Sequence, residues 1–187
     1  MMQGSELTIL SNWQNFYMII GTAAATLTGL MFVVTTLIAG IERHVEVLNA
    51  GISAFNTPTV VHFCAVLLIA GILSAPWQAF SYVRLLLGLF GLGMVSYLII
   101  VMQQMRRIPH YQTPLKDWLW YMAFPLIMYI VIIVATIALP ANPTLALYIF
   151  SAAMVGLLFL GIHNAWDLVT YFAVERSHSE NTGRGEG

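Results

Sequence analysis

The stretch WLWYMAFPLIMYIVIIVATIALPANPTLALYIFSAAMVGLLFLGIHNAW, residues 118–166, contains no Asp, Glu, Lys or Arg. Its one interruption is Leu139-Pro140-Ala141-Asn142-Pro143, which is turn chemistry between two apolar runs. A helix needs about 20 mostly apolar residues to cross a hydrocarbon core of about 30 Å, and each run supplies them. Both runs are continuously apolar, whereas barrel strands alternate in segments of about ten residues. The stretch therefore reads as two membrane helices joined by a tight turn.

The rest of the chain repeats the pattern. Residues 7–41, 47–83 and 85–105 are also free of Asp, Glu, Lys and Arg. Hydrophobic residues make up 59% of the 187 and charged residues 8%, against about 45–50% and about 25% in soluble domains. So few charges cannot cover a water-soluble surface, and the apolar excess must face lipid. The fold class is an all-α integral membrane protein.

Proline marks the joints. Thr57-Pro58, Thr113-Pro114 and Asn142-Pro143 each place a capping side chain before a proline at the first helical position, where the missing N–H costs nothing. Ser74-Ala75-Pro76 breaks a helix, because the residue before proline is pushed out of the α region. Five spans follow, at about 16–40, 58–73, 77–104, 114–139 and 143–174, the fourth kinked near Pro125. Residues 1–174 form one domain. Ile41, Val45, Leu48, Ile52 and Phe55 recur at helical spacing, so about 41–55 reads as an amphipathic surface helix. The polar, glycine-rich 175–187 read as a disordered cytoplasmic tail.

Six of the seven basic residues fall on one side of a five-span chain: Arg43, Arg106, Arg107, Lys116, Arg176 and Arg184. The positive-inside rule then puts the N-terminus outside a plasma membrane and the C-terminus in the cytoplasm. Trp13, Tyr17, Trp77 and Tyr148 fall at the outer interface. Trp118, Trp120, Trp166 and Tyr171 fall at the inner one. The first run exceeds a signal-peptide core and lacks a basic flank, so it reads as a retained helix.

Several classes drop out. A net charge of −1 gives no footprint for nucleic acid. A lone Cys64 excludes a disulfide framework. Phosphate-binding, metalloprotease and paired-carboxylate motifs are absent, and no cofactor is called for. The halves do not repeat each other, so an inverted-repeat transporter is not supported.

Polar groups inside a membrane are costly and mark candidate sites. His163, Asn164 and Asp167 lie near the end of the fifth span, with His163 and Asp167 on one helix face. His62 enters the second span from the same side, with Asn56 and Gln103 at similar depth. These residues read as an ion or proton site, or as a polar layer anchoring helix ends, or as metal ligands. Arg84 is the one charge inside the third span. It reads as a snorkelling cation or as a fixed charge at an outer vestibule. Gly21, Ala25 and Gly29 form a small-xxx-small seam, for packing within the chain or between copies. Glu42-Arg43-His44-Val45-Glu46 reads as the solvated face of the surface helix.

Three functions fit this pattern. One is a homo-oligomeric channel or transporter with a titratable layer at the cytoplasmic edge. The second is a non-transporting accessory or scaffold subunit of a larger membrane complex. The third is a membrane-embedded haem or metal enzyme. Membrane lipids are the partners in every case.

Overall fold

A computed structural model of the protein describes the backbone of residues 2–41, 49–105 and 118–184, and the side chains of 12–37, 58–103 and 118–170. The order is α1 (Met2–Ile41), α2 (Asn49–Ser74), α3 (Phe80–Met105), α4 and α5 (Pro143–Arg184). Helix α4 opens with a π-helical turn, Leu119–Ala123, and continues as α-helix over Phe124–Ala138. There is no strand among the described residues.

Four helices are long and apolar enough to cross a membrane: Asn12–Leu37, Phe80–Gln103, Leu119–Ala138 and Pro143–Thr170. Helix α2 adds the shorter apolar run Pro58–Ser74. The chain is a polytopic helical membrane protein.

Helix α5 is the hub. More than half of its membrane window is buried, against less than a fifth for α1. It packs on α4, α2 and α1; α1 also packs along α2, and α3 lies against α4. The 3.6-residue period splits each helix into an inner and an outer face. In α1, Tyr17, Gly21, Ala24 and Met31 point inward. Leu85, Leu89 and Leu92 of α3, and Ile127, Ile130, Val134 and Ile137 of α4, point out at lipid positions. Lipid tails are as apolar as these side chains, so what holds the helices together is close packing rather than escape from solvent. A Cβ on Gly21 would stand 2.9 Å from the Ala70 Cβ, so α1 and α2 meet nearly backbone to backbone there.

The joints follow the chemistry of their residues. Asn142 caps α5: its Oδ1 accepts the Leu145 N–H at 3.1 Å, and Pro143 takes the first position as expected. The Ala75-Pro76 break ends α2, and the Trp77 indole N–H donates to the Ile72 carbonyl at 2.5 Å across it. That bond ties Trp77 to the turn, and α3 starts at Phe80 rather than at 77.

Other boundaries differ from expectation. Helix α2 starts at Asn49, so Pro58 lies inside it and not at its first turn. A membrane helix accommodates such a proline because neighbouring helices and local adjustment re-satisfy the freed carbonyl. Residues 49–55 of the expected surface helix are therefore the start of α2, and 42–48 lie outside the described residues. Pro114 does as well. The irregularity near Pro125 is the π turn just before it. At the far end the backbone stays helical to Arg184, ten residues past the expected boundary, where a tail was read. No proline or early glycine stops propagation there, and each added residue brings its own hydrogen bond.

Trp13 meets Tyr148 edge-on at 4.6 Å, so these two aromatic residues of α1 and α5 share a level. We refer to this end of the bundle as the Trp13 end and to the opposite one as the His163 end.

Candidate polar layer at the His163 end

Helix α4 organises the site. Tyr121, Pro125 and Tyr129 are buried and follow one another along one side of it. The π turn precedes Pro125: the Phe124 N–H donates to the Leu119 carbonyl, five residues back. Pro125 has no N–H to return to that turn, which favours the wider winding there.

The two tyrosines reach two different helices. The Tyr129 hydroxyl lies 2.9 Å from His62 Nδ1 on α2, with ring centroids 5.7 Å apart. The Tyr121 hydroxyl donates to the backbone carbonyl of Asn164 on α5 at 3.4 Å. A third link closes the triangle. Gly161 of α5 is packed directly against the Phe63 ring, leaving no room for a side chain. The residues beside Phe63 and Gly161, His62 and His163, therefore lie within about one turn of each other along the bundle axis.

They occupy different surroundings. His62 and Asn164 are fully buried. His163 and Asp167 are partly exposed on the outside of α5. The His163 ring stacks on Trp120 with centroids 3.8 Å apart and planes 17° from parallel. Its Nδ1 is 3.2 Å from Asp167 Oδ2, an ion-pair separation, but it is not aligned for a hydrogen bond to that oxygen. The sequence-predicted set is thus one layer with two compartments, His62 and Asn164 inside, His163 and Asp167 outside.

The inner compartment has unmet polar groups. His62 Nε2 and both Asn164 side-chain atoms, Oδ1 and Nδ2, are buried and reach no hydrogen-bonding partner among the described residues. Ser74 Oγ and His163 Nδ1 are also buried without a hydrogen-bonding partner among the described residues, whereas other buried hydroxyls are satisfied. Tyr17 and Ser151 both donate to the Leu147 carbonyl, at 3.3 and 2.8 Å. Thr136 donates to the Ile132 carbonyl at 2.8 Å.

Searches against family models, curated proteins and solved structures returned no match for this chain. The reading therefore rests on the geometry.

Among the described residues no three His, Cys, Asp or Glu side chains gather as a metal-binding group. Arg84 is exposed, one turn into α3, and makes no ion pair among the described residues. Of the small-residue seam, Gly21 packs on Ala70, while Ala25 and Gly29 are exposed; a Cβ on Gly29 would have nothing within 4 Å. Thr22, Thr26 and Thr36 bond back to the carbonyls of Met18, Thr22 and Phe32, so their hydroxyls are satisfied within α1. Gln103 is exposed, and the Asn56 side chain lies outside the described residues.

Sequence reasoning missed Tyr121, Tyr129 and the stacking role of Trp120. The signal was weak. A tyrosine in an apolar run looks like core or like an interfacial anchor, and only the packed helices show which polar group its hydroxyl meets.

Proposed function

We propose that the protein is a small channel or transporter for protons or ions that works as a homo-oligomer, with His62, Asn164, His163 and Asp167 as its titratable polar layer. The observation that carries this reading is the contrast within one bundle. At the Trp13 end Tyr17, Ser151 and Thr136 donate to backbone carbonyls, and the Ser74 hydroxyl is the exception among the described residues. At the His163 end a buried histidine and a buried amide keep unmet hydrogen-bonding atoms beside a partly exposed His–Asp pair. Burying such groups is expensive, and ionisable residues kept inside a membrane mark ion and proton pathways.

The path runs between copies rather than through one. Ile69, Leu73, Leu87, Leu139, Leu147 and Phe150 fill the Trp13 half of the bundle and are fully buried. In this reading His163 and Asp167 line a shared passage, with the Arg84 guanidinium toward its other mouth. The excess of basic residues supports a plasma-membrane location with the His163 end cytoplasmic.

Proteoliposomes test the reading. The purified protein should dissipate an imposed proton or ion gradient faster than protein-free liposomes. A second reading, an accessory subunit of a larger complex, draws on the exposed α1 face of Thr22, Ala25, Thr26 and Gly29, small side chains that suit helix docking. Absence of flux combined with stable copurification with another membrane protein would favour it.

A further inference from the structure

The unmet atoms of the inner compartment point to a ligand. His62 and Asn164 come from different helices, and both are held along the buried side of α4 that runs from Tyr121 to Tyr129. Tyr121 anchors the backbone at Asn164, and Tyr129 anchors the His62 ring. With Nδ1 engaged, His62 presents Nε2 as a free donor or acceptor, according to its tautomer. Asn164 presents one acceptor and two N–H donors. The set carries no formal charge from a carboxylate, lysine or arginine, since Asp167 lies in the outer compartment.

We infer that α2, α4 and α5 hold between them a binding site for one or two water molecules, hydrogen-bonded to His62 Nε2 and to the Asn164 amide. Three features select water. The set of atoms offers both donors and acceptors, which a guest of mixed hydrogen-bonding character meets and an anion or a cation does not. It lacks the charge that would compensate a dehydrated ion in a low-dielectric interior. It supplies the two to four polar partners that a buried water requires. Asparagine is also a poor helix former, and here its side chain bonds nothing in its own helix.

The site gives buried His62 a partner for proton exchange, the bound water, which the Asn164 amide holds in place without itself taking up a proton. The group shown against His62 is Tyr129 from α4; those against His163 are Asp167 on its own helix and Trp120 from α4. The inference holds whether or not the protein transports anything, so the two fail separately.

The test is solid-state NMR on the full chain in lipid bilayers, with 15N-labelled histidine and polarisation transferred from water. The His62 Nε2 signal, assigned by its loss in His62→Gln, should show transfer from water in the wild type. In Asn164→Leu, which keeps the volume and removes the partner, that transfer should be lost while the His163 signal is retained. A wild-type His62 signal without water transfer overturns the inference, and so does a direct His62–Asn164 side-chain contact. Transfer that is unchanged in Asn164→Leu removes Asn164 from the site. The wild-type measurement decides the main point even if the variant fails to fold.

Discussion

His62 and Tyr129, on α2 and α4, form a buried hydrogen bond of 2.9 Å between an imidazole Nδ1 and a phenol hydroxyl. The bond joins the short second helix to the helix that carries the π turn. It also uses up one ring nitrogen, so the chemistry left to His62 runs through Nε2.

Tyr129→Phe tests that bond. The ring stays and the hydroxyl goes, which leaves Nδ1 unsatisfied in an apolar interior. A buried polar group without a partner costs about 1–3 kcal/mol. A lower melting temperature in detergent is expected, with the helical signal below the transition unchanged. A melting temperature equal to wild type would mean that the hydroxyl and the ring do not depend on each other.

The contact of Gly161 with Phe63 predicts a steric failure. Gly161→Ala puts a methyl group into the ring, and overpacking costs typically about 1–3 kcal/mol. Gly29→Ala is the control. Its added methyl meets nothing within 4 Å, and alanine is the better helix former by about 1 kcal/mol. The first variant should melt below wild type, and the second at or above it. Equal melting would contradict the close approach of α2 and α5.

Asn142→Ala removes the oxygen that accepts the Leu145 N–H. Loss of such a cap costs typically about 1 kcal/mol. Asn142→Asp should retain most of the stability, because aspartate caps as well as asparagine. Thermal melting of both variants checks the order.

Asp167→Asn should change stability little. The pair with His163 is partly exposed and not aligned for a hydrogen bond, and exposed pairs contribute about 0–1 kcal/mol. Trp120→Ala, which removes the ring stacked on His163, should cost more than Asp167→Asn in the same melting assay. The opposite order would mean that the ion pair, not the stack, positions His163.

Much of this architecture is legible in the residues. Apolar run length gave the membrane helices, and Asn142-Pro143 gave a helix start that the structure reproduces. Thr57-Pro58 misled, because a capping residue before proline also occurs inside a helix that its neighbours support. The polar layer was half legible. His62, His163, Asn164 and Asp167 stand out as costly residues in apolar surroundings. Their division into a buried and an exposed pair depends on which side of α5 meets α4, and α5 is apolar nearly all round. The small-residue spacing pointed at one seam. The actual contact follows Gly21 and Ala24, because a straight helix drifts away from a strict repeat of four.

The central claim is that the polar layer at the His163 end handles protons or ions, and the most direct measurement is flux into proteoliposomes carrying wild-type protein or the His62→Ala, His163→Ala double variant at matched incorporation. The account predicts that wild-type liposomes dissipate an imposed gradient and that the double variant falls to the rate of protein-free liposomes. Flux in the double variant at the wild-type rate would contradict it.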